Sequence, residues 1–345
     1  MDALHYPHSP IYSVSALARA LGEPTERLIA LAKRGSRLYR YVPQTKKDGK
    51  TPRHTYDAHE PLKTIQRKIV DRILSKISYP CYLQGGIKDV HAPRSIYANA
   101  RVHAGSKSII LQDIADFFPS ITVAHVRQVF SKLLGFSDEV SELLADLVTR
   151  EGQVPQGAST SSYLANLVFW DIEPALAERF NAKGLRYSRF ADDITVSSKT
   201  DMPQEVATLV IGSVTWMLGQ KGCRPKRSKL HVRKRGQALI SGDKVDAVTI
   251  TGLVVDGSSP SLPKKERMAI RTAVKQLEDS ARDWVGGPPL EMQKDIQRLM
   301  GRIGRLIACG HPEGLRLKAR VRLVTRRGPP LEQHTQIAGN IEVHS

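Results

Sequence analysis

Two aspartates stand side by side in "SRFADDITVSS", residues 188–198: Asp192 and Asp193. Both flanks read as β-strands, and adjacent like charges on a poor strand former oppose folding unless something offsets the repulsion. The stretch is either a polar hairpin turn or a pair of carboxylates built to hold a cation. A third acid favours the cation. The apolar run "SIILQDIADFF" carries Asp113 at its end, 79 residues before Asp192, with Asp116 three residues further on. Antiparallel pairing of that run with the hairpin would gather three carboxylates. Left bare, they would titrate with raised, coupled pKa values, and a cation removes that penalty. Oxygen-only ligands suit Mg²⁺, with Mn²⁺ as a substitute, because such ions keep positions open for water and phosphate. Two of them, about 3.5–4 Å apart, stabilise the attacking and leaving oxygens of an in-line phosphoryl transfer.

Charge indicates the substrate. The 345 residues include 52 Lys and Arg against 34 Asp and Glu, a net charge of +18. So basic a protein usually has a polyanionic partner, most often nucleic acid. Carboxylates and charge together point to nucleotidyl transfer. A membrane surface fits less well, since no segment is both strongly amphipathic and lysine-rich. No stretch approaches the roughly eighteen apolar residues of a span. The opening "MDALHYPHSPIYSV" has no basic region followed by an apolar run, so no secretory signal is read and a cytoplasmic protein is expected. Cys81, Cys223 and Cys309 are odd in number and far apart, against both a disulfide framework and a zinc knuckle.

The elements that must position the acids form an α+β pattern. "SVSALARALGEPTERLIALAKRG" reads as two short helices around Gly22, with Ser13 as N-cap and Gly35 as terminator. A helix-turn-helix reader has that outline, but "LIALA" offers few polar side chains to base edges, which favours a plain helical hairpin. Strand, basic turn and strand follow, with Lys46, Lys47, Lys50 and Arg53 as phosphate-clamp candidates. Helices are expected over 62–74, 123–135, 138–150 and 160–180, and a strand over 248–257. Beyond Pro260 the chain becomes basic and helical, over roughly 263–283, 289–309 and 311–326.

Between the acids lies "VPQGASTSSYLANLVFWDI". Together with "DFFPSI" after Asp113 and with "FADD", it resembles the palm of reverse transcriptases, in matching order and spacing. The resemblance implies a right-hand polymerase: residues 1–60 as N-terminal helices and the start of the fingers, 61–112 as fingers, 113–257 as palm with intervening finger helices, and 258–345 as a basic helical thumb. It implies that Asp113, Asp192 and Asp193 bind the metals. Phe118 falls where a bulky ring beneath the sugar excludes a 2′-hydroxyl and favours dNTPs, and either it or Phe117 is expected to pack the core. Gln156, Gly157 and Arg53 are expected at the incoming nucleotide. "KGCRPKRSKLHVRKRG" holds eight Lys or Arg in sixteen residues, charge suited to tracking a nucleic-acid backbone. In it Gly222 and Lys229 resemble the fourth palm motif, whose lysine neutralises or protonates the leaving pyrophosphate, and Lys226 and Arg227 are expected on nucleic acid. Phe190 departs from the tyrosine common before x-D-D. It keeps a ring near the primer end but lacks the hydroxyl.

Two further patterns resemble bacterial retron reverse transcriptases. "NARVH" (Asn99, Ala100, His103) matches N-A-x-x-H, and "TITGLVV" stands at V-T-G, with Ile250 ahead of Thr251 and Gly252. Asn99, His103, Phe190, Thr251 and Gly252 are accordingly expected at nucleic acid. Arg316, Lys318 and Arg320 in "GLRLKARVRLVTRRG" are expected on an RNA duplex, which is read largely by shape. The family implies a structured non-coding RNA as template and primer, priming from a guanosine 2′-hydroxyl, and RNA-linked single-stranded DNA (msDNA) as product. It also implies an effector protein in anti-phage defence and a host RNase H, since no RNase H, integrase or endonuclease segment is seen. The alternative is another bacterial reverse transcriptase, group II intron-like or defence-associated, that uses no retron RNA. A binding module with decayed acids fits less well, because all three acids are present.

Overall fold

The structure, a computed structural model, describes residues 4–45, 49, 51–234, 239–241, 244–246, 249–284 and 287–325. The lysine turn at Lys46, Lys47 and Lys50 lies outside the described residues. Two compact units divide the chain, Met1–Pro260 and Ser261–Ser345.

The first unit opens with α1 (Val14–Leu21) and α2 (Thr25–Arg34). Ser13 caps α1, its hydroxyl accepting from the Ala16 amide at 3.2 Å, and Gly22 ends it in the left-handed region at φ 59°. Leu28 and Leu31 of α2 are buried, so the pair is a helical hairpin whose apolar residues face the core. An antiparallel pair follows, β1 (Tyr39–Thr45) with β2 (Pro52–Ala58), then α3 (Leu62–Arg72) and α4 (Ile96–His103).

Next comes β3 (Ser108–Ala115), buried at six of its eight positions. It lies inside the main sheet because it is apolar on both faces. After it run α5 (Phe117–Ser120), α6 (Val123–Gln128), α7 (Asp138–Val148), α8 (Ser161–Leu167) and α9 (Glu173–Ala182). The helix expected over 160–180 is therefore two, since the Phe169–Ile172 turns and Pro174 in the first turn of α9 interrupt it. The one expected over 123–135 gives way to a π turn at Val129–Leu133.

The catalytic-looking hairpin is β4 (Arg186–Phe190) with β5 (Asp193–Ser198). Beyond it lie α10 (Gln204–Gln220), β6 (Arg224–Pro225) and β7 (His231–Lys234), then two short pairs, β8 (Leu239–Ser241) with β9 (Lys244–Asp246) and β10 (Thr249–Ile250) with β11 (Leu253–Val254). The main sheet has the order β4-β5-β3-β6, and β7 also pairs with β3. Every pairing in it is antiparallel. The strand expected over 248–257 is instead a tight hairpin, because Thr251 and Gly252 take positive φ, 49° and 80°.

The second unit is helical: α11 (Lys264–Ser280), α12 (Gln293–Ala308) and α13 (Glu313–Thr325). Ile270, Val274, Leu299, Ile303, Leu317 and Val321 form its interior, and Arg271–Glu313 and Arg320–Glu278 ion pairs join its helices.

Deep in the first unit lies a charge. Arg189 is fully buried and paired with Glu173, which is 1% exposed. Removing one partner leaves the other unpaired in a dry interior, whereas replacing both removes the desolvation penalty. Glu173→Ala is expected to cost about 3–5 kcal/mol, read from the urea midpoint. Arg189→Met with Glu173→Leu should recover most of that loss.

Candidate active site

The turn of the β4–β5 hairpin consists of Ala191 and Asp192. Ala191 sits in the left-handed region at φ 54°, and the Ile114 amide donates to the Asp192 carbonyl at 3.0 Å. In the register between β3 and β5, Asp113 is directly opposite Asp193. Directly opposite residues project from the same face of a sheet. The pairing inferred from the sequence thus occurs, and two carboxylates meet on one face with the third at the adjoining turn.

Asp113 is 4% exposed, and its carboxylate pairs with the ammonium of Lys229. Lys229 ends a short helical turn, Arg227–Lys229, whose start is fixed where the Lys226 amide donates to the Asp113 carbonyl at 2.7 Å. Burial raises the pKa of Asp192, and the neighbouring Asp113 charge adds to it; Lys229 and Arg53 work the other way. Burial opposes the charge on Lys229, but the Asp113 bond and the charges of Asp113, Asp193 and Asp192 outweigh it and raise its pKa. One ammonium therefore feels all three acids.

A cleft of about 480 Å³ opens here, lined among others by Asp113, Phe190, Asp193, Lys229, Thr251 and Gly252. The structure thus brings together Asp113 and Asp193, the lysine, the residue that departs from tyrosine and the second hairpin turn, while Asp192 is not among the residues lining the cleft. His231 lines the same cleft. Sequence reading passed over it inside a run of lysines and arginines, where only its alternation along β7 could have marked it.

The Pro-Gln-Gly turn packs on β2. The Tyr56 amide donates to the Gln156 carbonyl at 2.8 Å. Gly157 has φ 109°, and a Cβ there would stand 3.0 Å from the Tyr56 carbonyl oxygen, so both conformation and close approach demand glycine. Arg53 projects from the same strand, and its charge reaches Asp192. Of the two phenylalanines after Asp113, Phe117 is the core residue: it is 3% exposed and stacks on Phe169 with planes 2° apart. Phe118 is only partly buried.

Asn99 and His103 do not reach the surface. They are 1% and 0% exposed, so the nucleic-acid contact expected of these side chains is corrected to an internal one. The Ser188 hydroxyl donates to Asn99 Oδ1 at 2.7 Å. His103 Nε2 must then donate to Ser188 Oγ, and Nδ1 accepts from Ser197, both at 2.7 Å. Burial, with Arg186 nearby, pushes the His103 pKa down to about 3 and keeps the ring neutral. At the other end of α4, the Thr251 hydroxyl donates to the Ile96 carbonyl at 3.0 Å. The N-A-x-x-H helix therefore ties the aspartate hairpin to the Thr251–Gly252 turn. Its serine partners carried no signal of their own in the sequence.

Lys226 and Arg227 lie beside Lys229 on the same turn. Arg316, Lys318 and Arg320 lie on α13 of the second unit. Arg320 forms two hydrogen bonds to Glu278, at 2.7 and 2.5 Å.

Comparison with known proteins identifies the class. Residues 45–253 match the family described as reverse transcriptase (RNA-dependent DNA polymerase), and a match over more than half of the chain makes this a nucleotidyltransferase of that class. The retron Se72 reverse transcriptase of Salmonella heidelberg (strain 579083-10) is 33% identical over 319 residues, 92% of this chain and 81% of the relative. The retron Ec48 reverse transcriptase of Escherichia coli is 31% identical over 315 residues, covering 88% and 74%. The retron Mx162 reverse transcriptase of Myxococcus xanthus is 26% identical over 340 residues, covering 87% and 66%. The chain belongs to the retron reverse transcriptases.

That family implies catalysis with divalent metal. Among the described residues no three His, Cys, Asp or Glu side chains already stand in a chelating group. The donors nonetheless suit a hard cation: all are carboxylates, they crowd one another, and the Lys229 ammonium already supplies positive charge where the ion is needed.

A buried neutral histidine has a readable signature. The unfolded state binds the His103 proton below about pH 6.5 and the folded state does not, so stability falls as pH drops from 6.5 towards 3. Between pH 7.5 and 5.0, urea denaturation is expected to show about 2 kcal/mol more loss for the wild type than for His103→Gln.

Proposed function

We propose that this enzyme copies a cognate structured non-coding RNA, priming from a 2′-hydroxyl of that RNA and leaving RNA-linked single-stranded DNA. The observation that supports this most is the shared cleft, in which Asp113, Asp193 and Lys229 are joined by the Thr251–Gly252 turn of the retron-like motif. The first unit acts as fingers and palm, with fingers over 61–112 and palm over 113–257, and residues 258–345 act as a thumb on duplex RNA.

Asp113, Asp192 and Asp193 would hold two Mg²⁺ ions, replaceable by Mn²⁺, which would supply the positive charge that activates the primer hydroxyl and neutralises the triphosphate. The chain's own groups do the rest. Asp113 and Asp193 are fixed by strand register. Lys229, kept protonated by the acids around it, turns to the departing pyrophosphate as counter-charge or proton donor. Gln156, Gly157 and Arg53 seat the incoming dNTP, and Phe118 lies under its sugar. Phe190 packs at the primer end.

The partners are the RNA, its cDNA and dNTPs, with an effector protein and host RNase H completing a cytoplasmic anti-phage system. No described helix is long and apolar enough to cross a membrane. A reverse transcriptase without a retron RNA is the second reading, favoured by Ile250 in the V-T-G position and by Phe190 in place of tyrosine.

Coexpression with the DNA flanking the gene tests the product. RNA-linked DNA should be extractable from cells, and its absence with an active polymerase would support the second reading. Asp192→Asn or Asp193→Asn should abolish dNTP incorporation while leaving RNA binding within about twofold, since phosphate contacts carry most of that affinity. Phe118→Ala should admit rNTPs in single-nucleotide incorporation, and unchanged sugar selectivity would remove Phe118 from that role.

A further inference from the structure

The cleft continues behind the acids. Leu111 of β3 stands opposite Thr195 of β5 on one side and His231 of β7 on the other. These three therefore project from the face that carries Asp113 and Asp193, one step of two residues further along, and all three line the cleft. Arg233 lies opposite Ile109, another two residues on, and so on the same face again. The inner side of β7 thus leads away from the acids with a histidine and then an arginine. Val232 and Lys234 take its outer side and are exposed.

The fold makes little use of either group. Burial, and then the Arg233 charge, lower the His231 pKa and favour the neutral ring, which keeps one N–H to donate. Among the described residues the imidazole has no hydrogen-bond partner. The Arg233 guanidinium bonds only the carbonyl of its own neighbour Val232, at 3.3 Å, and its Nε is buried without an acceptor among the described residues. A buried N–H left unpaired is costly, and an arginine kept for packing usually finds a carboxylate, as Arg189 does with Glu173. An anion beside His231 would satisfy both groups.

The proposed reaction supplies one. A primer that reacts through its 2′-hydroxyl still carries a phosphodiester on the neighbouring 3′-oxygen, whereas an ordinary 3′-hydroxyl end does not. Priming joins the 2′-oxygen to the α-phosphorus of the dNTP as pyrophosphate leaves and the hydroxyl proton passes to water. The 3′-phosphodiester is untouched and keeps its negative charge, which Asp113 and Asp193 repel. It needs a cationic seat about one nucleotide away from them. Diagonal neighbours on paired strands are about 7–8 Å apart, and that is the relation of His231 to Asp113.

We propose that His231 and Arg233 form a subsite for the phosphodiester on the 3′-oxygen of the priming nucleotide. The imidazole N–H donates to a phosphate oxygen and the guanidinium supplies the counter-charge, so that the 2′-hydroxyl, not the phosphate, faces the acids. The subsite selects the first addition, since later primer ends carry no 3′-phosphate. The inference rests on the proposed 2′-priming, and its test separates the two.

The probe is an RNA template annealed to a primer that ends in guanosine in one of three forms: an ordinary 3′-hydroxyl end, a 3′-deoxy end, or a 3′-phosphorylated end. The last two offer only a 2′-hydroxyl. Wild-type enzyme should add one dNTP to the 3′-phosphorylated end at least about tenfold faster than to the 3′-deoxy end, the effect of one charge-assisted hydrogen bond. Arg233→Gln and His231→Leu should each lose most of that preference, and Arg233→Lys, which keeps the charge, should retain more of it than Arg233→Gln. Each preference is a ratio within one protein, so a variant that folds poorly lowers both rates and leaves the ratio readable. Equal wild-type rates at the two ends, or Gln and Leu variants with the wild-type preference, would overturn the subsite. Addition at the 3′-hydroxyl end with none at either 2′-hydroxyl would instead count against 2′-priming itself, and the subsite would fall with it.

Discussion

The fold of the catalytic unit turns on one buried cation. Arg189 precedes the aspartates by three residues, and its side chain points into the core, where burial works against its charge. All five of its N–H donors are used. Nε and Nη2 donate to the Glu173 carboxylate at 2.7 Å each, Nη1 to the carbonyls of Ala165 and Ala191, and Nη2 also to Asn166. The Tyr187 hydroxyl donates to the same carboxylate at 2.6 Å, and the guanidinium lies over the Phe169 and Phe117 rings. With Glu173 in contact its pKa is held above the ordinary value. The end of α8, the start of α9, the helix after Asp113 and the hairpin turn itself all converge on this group. A charge so placed is tolerable only in one arrangement, and that makes it a device for specificity more than for stability.

Strand alternation gives β4 a second anchor. Tyr187 and Arg189 face the core, so Arg186, Ser188 and Phe190 face the other way. Ser188 meets Asn99 and His103 there, and Phe190 reaches the cleft. A strap from Tyr82 to Gly85 lies along the strand's free edge: the Arg189 amide donates to the Tyr82 carbonyl and the Gln84 amide to the Arg189 carbonyl, both at 2.9 Å. Asn166 holds the strap from behind, donating to the Gly85 carbonyl at 2.6 Å. At Gly85 a Cβ would stand 2.9 Å from the Ala191 nitrogen, so the strap seats directly on the turn that presents Asp192. The hairpin is thus held from both faces and one edge, and the turn inherits a fixed position.

This explains what was legible in the sequence. Asp113 and Asp193 could be paired in advance because period-two alternation and hairpin geometry are local rules, and the family match over 45–253 spans both. Gly157 was visible as a turn, though the Tyr56 carbonyl that demands it lies about a hundred residues away. Asn99 and His103 were visible as a pattern and misread as a contact. Their role depends on Ser188 and Ser197, common residues 89 and 94 positions further on. Arg189 was hidden most completely. In a chain of 52 lysines and arginines one more arginine looks like surface charge, and only the tertiary meeting with Glu173 distinguishes it.

The same contrast governs the site's electrostatics. The anions ride on the sheet: Asp113 is buried on its central strand, and Asp193 is its register partner. Their counter-charge does not. Lys229 comes from a three-residue turn and is half exposed, so water already solvates part of its charge. The ammonium can move on its short turn, whereas moving a carboxylate would disturb strand register, the Arg189 cluster and the strap together. Rigidity lies with the carboxylates on the sheet. Freedom lies with the half-exposed lysine paired to Asp113.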